Sequence, residues 1–349
     1  MKLSVMRDLG IALILVLATT AARAEMVRNL YSAQVPVADQ SAAKLAAASK
    51  EALAVVLVKV SGSSALLRNP VIAAALPKAR SHVQQYSYSK DALKPGGLLV
   101  QVLFDKAYIS GLVIEAGAPL WTANRPAVLV WLVMDGVDGP QFVNEDTAPE
   151  ALTALRREFS RRGLPLQLPL YDAQDAAALS PQQAVSQSST ALENASARYQ
   201  LADVLIGKFS VDEEGLVGGN WRYFYDGKRQ QRSAKAKSGI LYMREGAGLA
   251  AESMAARYAV SASAEGIGVA MSVTGVTDYA DYAAIVAWLE SLELIELANV
   301  ETVQGDTITL RLQAQADPAQ LATIIEINEK LVPVPVTGPG PELKYLWQK

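Results

Sequence analysis

The sequence contains no cysteine and a single histidine. The first absence removes disulfide frameworks, thiolate metal sites and cysteine nucleophiles. The second removes multi-histidine metal sites. Neither sign of charge is in large excess: 32 basic residues face 35 acidic ones, for a net charge of −3. That balance argues against a general nucleic-acid binder, which carries a strongly basic face. Past residue 24 there is no run of about 18 apolar residues to cross a bilayer. No G-x-S-x-G and no Walker P-loop occur either. What is present is a chain of 349 residues, 51% apolar and 19% charged. That composition is globular, the length allows two or three domains, and a core of that size needs no covalent staple.

The first 24 residues have the layout of a secretory signal peptide. Lys2 and Arg7 make a positive n-region, residues 10–17 a short apolar core, and Ala22-Arg23-Ala24 an A-x-A cleavage site before Glu25. The core is shorter than the roughly 20 residues a membrane anchor needs. No cysteine follows the site, so no lipid anchor is expected there. Cleavage after Ala24 removes three basic residues and one acidic residue and shifts the net charge from −3 to −5. The expected location is the periplasm, with no transmembrane segment in the mature protein.

The remainder divides into three segments of mixed helix and strand, an α+β or α/β protein of three small domains. Residues 25–120 are expected as βααβα: a strand over 26–37, a helix over 38–60 capped by Asp39 or Ser41 and ended by Gly62, a helix over 69–86, a strand over 98–104, and a helix from 106 capped by Asp105. Residues 119–126 (PLWTANRP), with two prolines, have the composition of a linker. Residues 127–245 begin with an apolar run, AVLVWLVM, the pattern of a central strand covered on both faces. A helix over 149–162 follows, closed by Gly163, then a strand over 202–209. Next come two hairpin strands, 216–225 and 228–237, joined by the turn pair Asp226-Gly227. A strand is expected over 240–243 and a helix from 247. Residues 250–335 alternate as βαββαβ, the ferredoxin-like pattern, with Asp317-Pro318 as a helix start. Residues 336–349 are expected as an extended tail.

Several of these features together resemble the proteobacterial family known as domain of unknown function 2066. They are the export signal, the strand ending Val35-Pro36-Val37, Lys59-Val60-Ser61-Gly62, Gln85-Tyr86-Ser87-Tyr88, residues 121–126 before Val128-Leu129-Val130-Trp131-Leu132, and Ala197-Arg198-Tyr199 before residues 202–207. The motifs are structural, so the resemblance implies no activity. Residues 127–240 are also partly similar to the amino-terminal domain of TolB and to domains of curli-export and flagellar-collar proteins. That similarity implies a non-enzymatic envelope scaffold or adaptor.

Five places merit a chemical reading. Trp221, Tyr223 and Tyr225 alternate beside Arg222, Lys228, Arg229, Arg232, Lys235 and Lys237. A basic, aromatic hairpin suits an anionic envelope component; the same lysines also protect an exposed edge strand. His82 lacks a co-ligand and reads as a helix-end residue. Gly246 to Ala251 match G-x-G-x-x-A, with Glu265 near the position of the fingerprint acid, or else mark a plain entry into a helix. Asp135, Asp138, Glu145 and Asp146 form an acidic loop that suits calcium or ordinary turns. Ser87 and Lys90 stand three apart in a loop-like stretch, the nearest approach to a Ser–Lys pair. None makes a coherent catalytic set, and no cofactor or metal is expected. The leading expectation is a periplasmic, non-catalytic protein that binds an envelope component. The alternative is a glycan- or small-ligand-binding or processing protein using carboxylates in a cleft between segments one and two.

Overall fold

The computed structural model describes residues 25–27, 29–186, 189–261, 267–327, 330–335 and 340–348. Residues 1–24, expected as an export signal, and Glu265 lie outside the described residues. Among the described residues no helix is long and apolar enough to cross a membrane. The fold is α+β, with strands gathered in three main sheets and one two-stranded pair.

The first unit holds β1 (Glu25–Met26), β2 (Ser32–Val37), α1 (Ala42–Ser61), α2 (Pro70–Ala75), β3 (Val83–Lys90), β4 (Leu98–Phe104) and α3 (Lys106–Glu115). Ser41 caps α1 by accepting from the Lys44 N–H, and Gly62 ends it at φ 74°. Asp105 caps α3 by accepting from the Tyr108 N–H. The expected helix over 69–86 is mostly something else: α2 is one short helix, a 3-10 turn continues to His82, and Val83 to Lys90 is an edge strand. β4 lies between β2 and β3 and pairs antiparallel with both. β3 escapes a hydrophobic-pattern reading because it is exposed along most of its length, which leaves no apolar alternation to recognise.

The second unit holds β5 (Asn124–Arg125), β6 (Val128–Gly136), β7 (Gly139–Phe142), α4 (Pro149–Arg162), β8 (Leu166–Gln167), α5 (Ala173–Ala178), α6 (Pro181–Ser186), α7 (Ser189–Ala197), β9 (Asp203–Val211), β10 (Val217–Tyr225), β11 (Lys228–Ala236) and α8 (Gly239–Tyr258). The sheet runs β11-β10-β9-β6-β7, with β8 also on β6. β6 is parallel to β9 and buried on both faces. Val128, Val130 and Leu132 share a core with Leu155 of α4 and Met243 of α8, while Leu129, Trp131 and Val133 pack with Leu179 and Leu192 on the other side. The continuous apolar run follows from that double burial. Asp226 and Gly227, at φ 46° and 68°, make the hairpin turn. The expected strand over 240–243 is instead the first turn of α8, capped by Ser238.

The third unit holds β12 (Ile267–Thr274), α9 (Tyr279–Ser291), β13 (Ile295–Gln304), β14 (Thr307–Ala314), α10 (Pro318–Glu326), β15 (Leu331–Pro333) and β16 (Leu343–Trp347). Asp317 and Gln320 form a capping box on α10, with Pro318 in its first turn. The sheet order is β13-β14-β12-β16-β15. The βαββαβ order is present up to β15, but the chain then returns and inserts β16 parallel to β12, between it and β15. Residues 336–349 therefore include a sheet strand rather than a detached tail. Leu343 and Tyr345 of this strand are buried.

The first and third units do not have separate interiors. One apolar core runs through the first and third, joining Leu53 and Val56 of α1 to Met271, Leu310 and Ile325. Residues 119–126, expected as a linker, lie at the junction of all three. The Trp121 N–H donates to Val60 O, the Val27 N–H to Ala123 O, and Leu120 and Val260 exchange backbone hydrogen bonds. Asn124 Nδ2 donates to Ile324 O at 2.7 Å, and the Ala123 N–H donates to Glu293 Oε2 at 3.1 Å. Trp121, Thr122, Asn124 and Arg125 are all buried. Proline content marked a non-helical segment correctly; its burial arises from contacts with residues up to 200 positions away.

Candidate functional site

The C-terminal ends of α1 and α4 converge on Arg125, which is fully buried. Its guanidinium donates from Nε to Thr122 O at 2.8 Å, from Nη1 to Arg162 O at 3.1 Å and Gly163 O at 2.9 Å, and from Nη2 to Lys59 O at 2.9 Å and Trp121 O at 2.8 Å. Five donors meet five backbone carbonyls, the full capacity of the side chain. Carbonyls at helix C-termini carry partial negative charge, so they favour a cation there. The guanidinium also stacks 3.7 Å over the Trp121 ring. Burial lowers its ionisation to about 9, which leaves it charged at neutral pH. Gly163 permits the approach. It sits at φ +65°, and a Cβ there would lie 2.8 Å from both Arg125 Nη1 and Lys59 Cγ.

Lys59, in the last turn of α1, is 3% exposed. Its Nζ donates to Ser32 O at 2.7 Å and Asn29 O at 3.0 Å. No carboxylate among the described residues forms an ion pair with it. Burial, then repulsion from Arg125 and Arg161, lowers its ionisation to about 7.

Beside Lys59 the first unit and α4 enclose a cleft of about 430 Å³. Its walls carry Lys59, Lys90, Arg156, Arg157 and Arg161 against one carboxylate, Asp91. Arg157 pairs with Asp91 at 3.0 Å, Arg156 with Glu145 at 2.6 Å, and Arg161 with the buried Glu158 at 2.6 Å. Lys90, like Lys59, has no acidic partner among the described residues. The cleft therefore keeps a positive surplus after its internal pairs are counted, and it is shaped to hold an anion. A cleft between segments one and two was expected to use carboxylates; it is present, with the opposite charge.

Next to it lies a second hollow of about 530 Å³, bordered by Val27, Phe159, Leu164, Pro165, Leu166 and Leu168. Asn29, Arg156 and Ser160 border both spaces.

The basic aromatic hairpin is arranged differently from its sequence expectation. Trp221 and Tyr223 are fully buried under α8. Trp221 lies between two glycines: a Cβ at Gly207 would come within 2.3 Å of the ring, and one at Gly246 within 2.5 Å. Tyr223 hydroxyl donates to the buried Asp203 carboxylate, which also accepts from Arg257. Tyr225 lies under the Arg257 guanidinium at 4.4 Å. These aromatics are core and internal network, not a contact surface. The basic residues divide between two faces, because residues directly opposite in a sheet point the same way. Lys228 opposes Tyr225 and Arg232 opposes Trp221, whereas Arg229 opposes Phe224 and Lys235 opposes Gly218. Arg232 pairs with Glu252 at 2.8 Å, and Lys235 with Asp212 at 3.2 Å. Arg222 and Arg229 have no acidic partner among the described residues, and Arg229 adds to the lowering of the Arg222 ionisation by burial. Lys237, just past β11, is exposed.

The remaining candidates are structural. His82 stacks on Tyr108 with ring centroids 3.6 Å apart. Gly246 and Gly248 fall inside α8, so their peptide N–H groups are engaged in the helix and cradle no phosphate. Asp135 pairs with Lys208 at 3.1 Å and Glu145 with Arg156. No group of three or more His, Asp or Glu side chains able to hold a metal occurs among the described residues. Ser87 and Lys90 are an odd number of positions apart on β3, so they point to opposite faces. Sequence reading passed over Lys59, Arg125 and the α4 arginines. The available signals were a lysine inside the apolar run VVLVKV and the doubled arginines of LRREFSRRG.

A family model described as Domain of unknown function (DUF8605) matches residues 24–122. The match covers the first unit and ends within the buried junction segment. It is a different family of unknown function from the one the sequence motifs resemble. No curated protein matches the chain.

Proposed function

We propose that this chain is an exported, non-catalytic envelope protein that binds an anionic component in the cleft between its first and second units. The observation that carries the reading is the lining of that cleft: five cationic side chains face one carboxylate, and Lys59 and Lys90 have no acidic partner among the described residues. Two structural reasons support a preformed site. The walls come from different units held together by Arg125, and α1, α4, β2 and β4 supply most of them, completed by Asn29 and the turn that follows Lys90. The signal-peptide layout of residues 1–24 and the partial TolB similarity of residues 127–240 support an envelope address. The hairpin face that carries Arg222 and Arg229, apart from the cleft, supports a weaker, second contact with an anionic partner.

Calorimetric titration with inorganic pyrophosphate tests the site. Binding should be salt-sensitive and lost in the double variant Lys59→Met/Lys90→Gln, while Arg222→Gln/Arg229→Gln retains it. The reverse pattern would move the site to the hairpin, and absence of binding by the unaltered protein would remove the proposal. Intact-mass measurement of the fractionated protein tests export: a chain beginning at Glu25 in the periplasm is expected.

A further inference from the structure

Of the five cations described along the cleft, Lys59 is the buried one: Lys90 and Arg156 are exposed, and Arg157 and Arg161 half-buried. Its hydrogen bonds suit a neutral amine. An ammonium carries three N–H donors, yet the described residues offer Lys59 Nζ two acceptors, Ser32 O at 2.7 Å and Asn29 O at 3.0 Å. Two acceptors match the two N–H groups of an uncharged amine, and the remaining tetrahedral position is then a lone pair. Asn29 and Ser32 line the cleft together with Lys59. The lysine cannot escape Arg125 by moving apart from it, because that guanidinium is fixed by five carbonyls, one of them Lys59 O. Burial, with repulsion from Arg125 and Arg161 behind it, lowers the Lys59 ionisation to about 7. A desolvated lysine beside other cations is the setting in which an amine becomes a nucleophile toward a carbonyl carbon.

We propose that Lys59 condenses reversibly with a small carbonyl compound bearing an anionic group, which the cations of the cleft hold beside it. The inference rests on the anion-binding reading above and adds a covalent bond to it. The Nζ lone pair attacks the carbonyl carbon, and one amine proton passes to the carbonyl oxygen to give a carbinolamine. That oxygen then leaves as water with the second amine proton while the C=N bond forms. Amine and carbonyl thus give imine and water, with no oxidant or reductant. A proton from solvent makes the iminium, whose single N–H keeps Ser32 O or Asn29 O as its acceptor. Lys90, which has no acidic partner among the described residues, supplies charge for the anionic group. The cleft, about 430 Å³, lies within the range of small-ligand pockets, about 300–1,000 Å³. A reversible condensation gives a binding protein a covalent hold on its ligand without turnover.

The experiment treats the full chain with glyoxylate at pH 7, reduces the imine with cyanoborohydride, and maps carboxymethyl-lysine by peptide mass spectrometry. Less than ~0.1% of an ordinary lysine is neutral at that pH, so Lys59 should be modified at least about tenfold faster than Lys90 or the exposed lysines. Pyrophosphate should protect Lys59, and uncharged propanal should show a smaller preference for it than glyoxylate does. In urea the preference should vanish, because the unfolded lysine regains its ordinary ionisation. Lys59 modified no faster than exposed lysines, in a protein that still binds pyrophosphate, would overturn the covalent step and leave the anion site standing. Lys59 modified equally by propanal and unprotected by pyrophosphate would overturn the anionic class of ligand. A preference that persists in urea would belong to the local sequence and overturn the inference. Lys59→Arg, which keeps the charge, should lose the preferred adduct; the mapping on the unaltered protein decides the matter should that variant fail to fold.

Discussion

Arg125 donates through Nη2 to the backbone carbonyl of Lys59 at 2.9 Å, so two buried cations sit in succession at the C-terminus of α1 with carbonyl oxygens, not carboxylates, as their partners. The arrangement joins three elements. Lys59 holds the loop before β2 through Asn29 and Ser32. Arg125 closes the end of α4 against the end of α1. The same lysine lines the cleft. Structural and binding properties are therefore coupled at one residue.

Loss of Arg125 should be costly. Arg125→Met removes five hydrogen bonds at once and leaves buried carbonyls without donors, each worth about 1–3 kcal/mol when left unsatisfied. A destabilisation of at least ~3 kcal/mol is expected in urea unfolding. Arg125→Lys should recover only part of it, because an ammonium has three donors and no planar fork. A change below ~1 kcal/mol for Arg125→Met would show that water replaces the side chain.

Lys59 should make stability depend on pH in a defined direction. Its native ionisation lies near 7, below the ordinary lysine value of 10.5. Between those values the unfolded chain binds more protons than the native one, so stability rises with pH across that window, by at most ~1.4 kcal/mol per unit. Below 7 both states are protonated and the burial penalty is fully present. Comparing the unaltered protein with Lys59→Met from pH 6 to 10 isolates this contribution; parallel curves would contradict it. Anion affinity at the cleft should run the other way, falling as the lysine loses its charge above pH 7.

Trp221 should tolerate no side chain at the glycines on either side of it. Gly246→Ala places a methyl about where the indole now is, and overpacking of this kind costs roughly 1–3 kcal/mol. Trp221→Leu in the same chain should relieve part of the cost, a non-additivity visible in a double-mutant cycle. Additive effects would mean that α8 shifts instead.

Removal of residues 341–349 should disrupt the third unit. β16 separates β12 from β15 and buries Leu343 and Tyr345. Its loss exposes the edge of β12 and opens the sheet. Hydrogen exchange should show Ile267–Thr274 losing protection in the truncated chain; unchanged protection would make the strand dispensable. By the same reasoning, the third unit expressed alone should expose the core it shares with α1 and be unstable.

Local chemistry was legible in the sequence wherever it was self-contained. Ser41, Asp105 and Asp317 cap the helices that follow them, Gly62 and Gly163 end theirs, residues 149–162 are a helix, and Asp226-Gly227 turns the hairpin. These signals depend on neighbours within a few residues, which the sequence itself supplies. The tertiary structure decided whatever depends on distant partners. Trp221 and Tyr223 look like an exposed stripe until α8 covers them, and Gly246 looks like a phosphate loop until Trp221 needs its space. A proline-flanked segment became the junction of three units because Arg125 found carbonyls from α1 and α4. The cleft draws Lys59, Lys90 and the α4 arginines from positions as much as 102 residues apart. Charge and apolarity are written residue by residue, but a binding surface exists only where folding brings them side by side.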